Sequence, residues 1–301
     1  MITKLLNLYK YLENRLKRSQ RYLLTREVLR FLEDPGQPCI MSAEERRAMA
    51  LHLRRTLLVD QFNAPFELKY KYRRPKIALD GQNGLFYAIT SENHRLYFKR
   101  GIPKRTVRKW YNNLCMEQDA GSPHNYCFNN FAAAADTIIA DIGAAEGIFT
   151  LKFIETIKKA YLFESDPEWI ETLEATFRPW KDKVVIIKTF VSDNITEKSV
   201  TLDSYFESRE KPTVLKLDVE GEEQRVLAGA AALLAGGGIT DVLACTYHRE
   251  NDVETLPRIL KGMNYEAAIS PGYMLLTQDT GFSPNRPFDF RRAMMHGRKN
   301  T

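Results

Sequence analysis

Cysteine is scarce in this chain: there are four in 301 residues, at positions 39, 115, 127 and 245. They have no CxxC spacing and no histidine pair at ligand distance, so neither a disulfide framework nor a structural zinc is available to hold the fold. Long apolar runs are also missing. No stretch approaches the roughly 18 residues of a membrane span, and "MITKLLNLYKYLENRLKRSQ" is broken by charge too often to supply a secretory apolar core. The expectation is a cytoplasmic protein with reduced thiols. The dinucleotide fingerprint GxGxxG is absent too, which argues against NAD.

What is present is an ordinary globular composition, 44% hydrophobic and 27% charged, enough for one large core or two modest ones. The net charge of +6 conceals an asymmetry, because residues 1–110 carry 24 basic and 10 acidic side chains and the remainder is acidic. Helical spacing runs through the first sixty residues, with Leu5, Leu6, Tyr9, Leu12 and Leu16 on one stripe and Leu23, Leu24, Val28, Leu29 and Leu32 on another. A further helix is predicted from Ala43 to Val59, opened by Ser42 with Glu45 three residues on. From Phe66 the pattern alternates and carries the turn signal "DGQNG", which predicts two or three antiparallel strands.

From Thr137 strand-like and helix-like segments alternate, the pattern of an α/β domain with a parallel sheet. Strands are predicted at Thr137–Ile142, Ala160–Glu164, Val184–Phe190, Thr213–Asp218 and Ile239–Tyr247, with a closing antiparallel pair at Tyr265–Ile269 and Tyr273–Thr277. Helices are predicted between them at Gly147–Lys158, Pro167–Arg178, Gly221–Leu234 and Val253–Met263. The domain reading is an N-terminal helical segment over 1–62, a small β or lid region over 63–135, and the α/β domain over 136–301.

The turn "DIGAAEG" joins the first of these strands to a helix, the position where doubly wound sheets bind nucleotides. It carries Asp141 and Glu146 beside Gly143, Ala144 and Gly147. A phosphate there meets like charge, costing about 4 kcal/mol per pair at about 4 Å and an effective dielectric of about 20. S-adenosylmethionine, a nucleoside with an ammonium and a sulfonium and no phosphate, meets favourable charge instead. A bound nucleoside needs an acid at the end of the second strand for its ribose, where Glu164 stands, and the third strand ends in Ser192 and Asp193, near the adenine.

The fourth strand, "VLKLDVEGEE", places Lys216 and Asp218 on one side, with Glu220 just beyond. Ionisable groups in a strand buried on both faces need a compensating reason, either catalysis or a Lys216–Asp218 ion pair. The fifth ends in "CTYHR", bringing Tyr247 and His248 to the same rim, and histidine titrates where a general base is useful.

These segments, "DIGAAEGIFTL", "LFESDPEW", "VTLDSYF", "PTVLKLDVEGEEQRVLAGA" and "TYHRENDVETLPRIL", resemble the FkbM family of S-adenosylmethionine-dependent methyltransferases over about 137–277. Upstream, "LYFKRG" and "EQDAGSPHNY" resemble a subset of that family. The resemblance implies a class I, Rossmann-like seven-stranded sheet, S-adenosylmethionine as methyl donor, and O-methylation of a sugar, glycan or other natural product. It assigns Asp141, Gly143 and Gly147 to the cofactor turn, Glu164 to the ribose, and Asp218 and Glu220 to the reacting centre. The chain departs from many members at Ala145, where they carry asparagine, and at "CTYHR", where they carry a nearby glutamate. The general base is therefore His248 or Asp218, with Lys216 fixing the Asp218 carboxylate.

His124 and Tyr126 in the upstream segment, with Tyr247, are candidate acceptor contacts. No metal is assigned, a divalent ion between Asp218 and Glu220 being the alternative. Two further readings stay open. The basic, aromatic stretches "KYKYRRPK" and "RLYFKRGIPKRTVRKWY" read first as a solvated strand face or an acidic-glycan contact, with RNA or protein methylation as the alternative, and a binding protein on an inactive methyltransferase fold fits the same elements. The N-terminal helices are read as packing elements, a homodimer surface or a cap on the active site, with a membrane-surface role for the Leu5, Leu12 and Leu16 stripe as the alternative.

Overall fold

The computed structural model describes residues 20–37, 39–276 and 288–300. Two compact units emerge, Met1–Leu68 with Gly272–Arg291, and Lys69–Pro271 with Arg292–Thr301. The stripe of Leu5, Leu12 and Leu16 lies outside the described residues.

In the smaller unit, helices α1 (20–33) and α2 (Ala43–Thr56) pack with a strand pair, Met274–Leu276 against Asp289–Arg291. The predicted cap is present: the Ser42 hydroxyl accepts from the Glu45 backbone and the Glu45 carboxylate accepts from the Ser42 N–H. Arg46 on α2 donates to the carbonyls of Phe31, Leu32 and Asp34, satisfying acceptors that the end of α1 leaves unpaired. Val28, Leu32, Met49, Leu53, Leu275 and Phe290 share the core. Leu23, placed on the apolar stripe by its spacing, is exposed.

The larger unit opens with a three-stranded antiparallel sheet, β1 (Ile77–Leu79), β2 (Phe86–Ile89) and β3 (Arg95–Tyr97), turned at "DGQNG" as expected. The preceding "LKYK" is a short helix, Leu68–Lys71, and not a strand, so its side chains do not alternate between two faces. Helix α3 (Lys104–Glu117) follows.

The central sheet contains β4 (Ile138–Ile142), β5 (Lys159–Glu164), β6 (Val184–Lys188), β7 (Val214–Leu217), β8 (Asp241–Cys245), β9 (Tyr265–Ile269) and β10 (Met294–Lys299). Its order is β9-β10-β8-β7-β4-β5-β6, with β10 alone antiparallel to its neighbours. Crossovers include α4 (Ile148–Phe153), α5 (Pro167–Phe177), α6 (Glu223–Ala228) and α7 (Asp252–Gly262). The five parallel strands agree with the sequence reading to within a few residues.

The closing pair does not. Tyr265–Ile269 pairs with Met294–Lys299, while Met274–Leu276 belongs to the smaller unit. The local "SPG" turn was favoured by proximity, but the register of β10 is set by packing. A Cβ on Gly297 would lie 2.3 Å from the Leu260 side chain of α7, so the strand sits close beneath that helix only with glycine there. The single helix expected over Gly221–Leu234 is broken at Gly229, where a Cβ would come within 2.1 Å of the Ser192 carbonyl oxygen.

Candidate active site

The turn after β4 is built on two positive-φ glycines, Gly143 and Gly147. A Cβ on Gly143 would stand 1.9 Å from the Asp218 carbonyl oxygen, and one on Gly147 would stand 2.6 Å from the Phe177 ring. Both positions therefore require glycine for space as well as for backbone conformation. The N–H groups of Gly143 and Ala144 both donate to the Phe163 carbonyl, at 3.0 and 3.2 Å, and the Ala145 N–H donates to Glu164 Oε2 at 2.9 Å. Three of the turn's amides, those of residues 143–145, are thus directed to β5 and not toward a phosphate.

Glu164 accepts two more backbone bonds on Oε1, from Ser165 at 2.7 Å and Asp166 at 2.8 Å. Three fixed amides lock the carboxylate at the end of β5, where it keeps lone pairs for a diol. Beyond the end of β6, after a two-residue strand, Phe190–Val191, that pairs with Ser199–Val200 outside the central sheet, Ser192 is buried and donates to Asp193, whose carboxylate is held by Arg225 at 2.8 Å.

Asp141 lies beneath the turn and not in it. It is fully buried, 3.0 Å from Lys216 Nζ, and accepts from the Thr150 hydroxyl at 2.8 Å. Lys216 also donates to the Gly143 carbonyl at 2.6 Å. This corrects the expected Lys216–Asp218 pairing. Asp141 and Lys216 are direct partners in the β4–β7 register, and side chains at paired positions share a face.

Asp218 is held from other directions: Tyr126 donates to Oδ2 at 2.5 Å and His248 Nε2 lies 3.5 Å from Oδ1. Burial alone would raise its pKa, but the positive charge of Lys216, the facing His124 and His248, and the Tyr126 hydroxyl hold it down at about 2. The rings of His124 and Tyr247 are 5.4 Å apart, and His124 lies 5.2 Å from Tyr126. The upstream segment "SPHNY" is thereby brought to the ends of β7 and β8.

The two histidines differ. Burial lowers His124 to about 4, so it is neutral near pH 7. Burial also acts to lower His248, but its bond to Glu223 and the charges of Asp218, Glu223 and Glu220 outweigh that and raise it above the ordinary histidine value. Glu223 is fully buried, 2.7 Å from His248 Nδ1, and accepts from the Val219 N–H at 3.1 Å. Glu220 adopts a positive φ and is 92% exposed, 3.7 Å from His248 Nε2.

Sequence reasoning did not single out Glu223. It stands one residue from the helix-start acid Glu222, and only the fold shows which of the two turns inward. Glu117 was also missed. Burial, followed by the charges of Glu146 and Asp218, raises its carboxyl to about 8, and burial raises Glu146 to about 7. Acidic groups so placed favour a cationic ligand. Among the described residues, His124, Asp218 and Cys245, and Asp218, Glu223 and His248, stand at metal-ligand spacing, whereas Glu220 belongs to neither set.

Residues 109–266, just over half the chain, match the family described as the methyltransferase FkbM domain. The chain belongs to the FkbM methyltransferases. Among solved structures it is similar to the FkbM methyltransferase of Methylobacillus flagellatus KT, at 17% identity and a TM-score of 0.45, over 65% of this chain and 55% of that one. It thus spans little more than half of that protein's length.

It is also similar to precorrin-6Y C5,15-methyltransferase of Geobacter metallireducens GS-15, at 8% identity and 0.38, over 56% and 83% of the two chains. An rRNA methylase from Streptococcus thermophilus matches at 14% identity and 0.36, over 56% and 89%. No curated protein matches the chain. The family's donor, S-adenosylmethionine, is the cofactor, and the residues fit it: the amides of residues 143–145 are directed to protein acceptors and not to a phosphate, Glu164 is fixed for a diol, and the buried acids complement positive charge. No helix among the described residues is long and apolar enough to cross a membrane.

Proposed function

We propose that this FkbM methyltransferase transfers the methyl group to a hydroxyl oxygen, on a sugar, glycan or related small molecule, with His248 as general base. The observation that carries the reading is the buried Glu223–His248 contact of 2.7 Å beside Asp218. S-adenosylmethionine, when bound, supplies a methyl group on a sulfonium, an electrophile that needs no metal or acid to activate it.

A hydroxyl is a weak nucleophile until its proton has a destination. With Nδ1–H donated to Glu223, the neutral imidazole presents its Nε2 lone pair beside Asp218, and Nε2 accepts the acceptor's proton as its oxygen bonds the methyl carbon and the methyl–sulfur bond breaks, the sulfur leaving as a neutral thioether. Asp218, held at about 2, is too weak a base for that step. It instead accepts a hydrogen bond from the acceptor and stabilises the imidazolium. Tyr126 fixes the Asp218 carboxylate, and His124 and Tyr247 wall the acceptor position. Glu146, Glu164, Ser192 and Asp193 hold the cofactor, and Asp141 with Lys216 supports the turn from below.

The RNA reading draws less support, because in "LKYK" the Tyr70 hydroxyl is engaged by Asp119, to which it donates at 2.8 Å, and the short helix does not set its side chains in an alternating row. The test is titration calorimetry with S-adenosylmethionine and S-adenosylhomocysteine, with Glu164→Ala alongside, followed by methyl-transfer assays on saccharides and RNA. Cofactor binding abolished by the substitution, with turnover on a hydroxyl acceptor lost in His248→Ala, supports the proposal. A folded protein that binds neither ligand, or a His248→Ala enzyme of normal turnover, overturns it.

A further inference from the structure

Beside the candidate active site, the larger unit contains a cavity of about 420 Å³. Its walls come from four places in the chain: Lys69, Tyr70 and Arg73; the β2–β3 turn at Thr90–Glu92; Tyr111, Cys115 and Gln118; and the residues of α4 that end at Lys152. Three cations thus face it against a single carboxylate, Glu92.

The charges are not all compensated. Lys69 is neutralised by Asp119, 2.9 Å away, and Glu92 accepts from the Ser91 hydroxyl. Among the described residues, Arg73 and Lys152 form no ion pair; Arg73 faces the Cys115 thiol, and Lys152 is near enough to Glu92 for its charge to help lower that carboxyl. The Arg73 guanidinium lies over the rings of Tyr111 and Tyr70, at 5.4 and 5.8 Å, and Lys152 donates to the Cys127 sulfur at 3.2 Å. A partly buried guanidinium with aromatic walls and no carboxylate is an incomplete arrangement, because the planar fork of arginine matches phosphate or carboxylate oxygens two at a time.

The cavity abuts the reacting centre. Gln118, on its wall, donates to the His124 carbonyl at 3.3 Å and accepts from the Tyr126 N–H at 3.2 Å. Phe149, also on the wall, packs 5.4 Å from the Tyr126 ring. The group occupying the cavity therefore lies against the loop that carries His124 and Tyr126 to Asp218.

We infer that this cavity is the subsite for an acidic group, phosphate or carboxylate, of a saccharide methyl acceptor, with Arg73 and Lys152 as its charged contacts. The inference deepens the O-methyltransferase reading and rests on it for naming the occupant an acceptor. It narrows the acceptor class to sugars carrying negative charge and gives the front third's basic excess a local use.

The experiment is calorimetric titration of the full chain with glucose 6-phosphate, glucuronate and glucose, on wild type, Arg73→Gln, Lys152→Ala and the double variant, with an S-adenosylmethionine titration of each. The expected result is binding of an acidic sugar and not of glucose. Each single variant should weaken it by about 10-fold or more, as removal of a charge-assisted contact does, with cofactor affinity unchanged. The phosphate and carboxylate arms distinguish which anion the site prefers. Glucose bound as well as the acidic sugars, no sugar bound, or unchanged affinity in the double variant overturns the inference. Lys152 is exposed, so its truncation leaves the fold intact and keeps the test valid should Arg73→Gln misfold. Acidic-sugar binding without cofactor binding would uphold the anion site while removing the methyltransferase reading.

Discussion

Glu223 Oε1 stands 2.7 Å from His248 Nδ1, and no part of the glutamate is exposed to solvent. The carboxylate also accepts the Val219 N–H, so the contact that orients the imidazole also anchors the loop after β7. A buried carboxylate in this position stabilises the imidazolium over the imidazole.

The first prediction follows from that charge. A base acts when deprotonated, so the rate rises with pH through the His248 pKa, which lies above the ordinary histidine value. Glu223→Gln removes the negative charge and lowers that pKa. The ascending limb of the pH–rate profile should therefore move to lower pH, by about one unit or more, with a reduced plateau. An unmoved limb would detach Glu223 from the histidine's titration.

Lys216 and Asp141 form a buried pair at the centre of the sheet. Lys216→Met leaves the Asp141 charge without its partner and should destabilise the fold by about 3–5 kcal/mol. The double variant Asp141→Asn/Lys216→Met should recover part of that loss in urea denaturation, since no lone charge remains. Equal losses in the single and double variants would contradict this account.

Gly143→Ala should both lower the melting temperature and abolish cofactor binding, because the new Cβ collides with the Asp218 carbonyl at 1.9 Å and no side-chain rotation relieves it. Gly237→Ala provides the comparison. Its φ is +75° but nothing lies within 4 Å, so only the conformational strain of about 1–2 kcal/mol applies and cofactor binding should survive.

Glu117 titrates near 8 in the folded protein, above its unfolded value. A raised carboxyl pKa contributes full stability below the unfolded pKa and loses it as pH rises through the folded one. Glu117→Gln mimics the protonated form, so the variant should match wild type near pH 5 and exceed its melting temperature above pH 8. A difference constant across that range would mean that folded Glu117 is already ionised at pH 5 and that its pKa is not raised.

Most of the sheet was legible in the sequence because buried parallel strands are short apolar runs bounded by polar turns, and each of the five has that form. The site's frame was legible too, since Gly143, Glu164, Asp218 and His248 stand at strand ends, where doubly wound sheets present ligands. Pairing partners were less so. Lys216 follows the register of β4 and not its nearest acid in sequence, and the seventh strand lies beyond an excursion into the other unit, so local turn chemistry pointed to the wrong segment. Glu223 and Glu117 required the fold, because burial and a facing charge distinguish a wired carboxylate from the solvated acids beside it.

The placement of β10 between β8 and β9 also bears on how the chain assembles. Residues 265–269 reach the sheet only through 294–299, so until synthesis has passed residue 294 β9 has no partner and β8, paired with β7 on one side, keeps its other edge open. A nascent chain stalled before residue 294 therefore presents the open edge of β8 and an unpaired β9, a template for pairing with another chain. This is the stage at which a chaperone, or slow translation, would matter most.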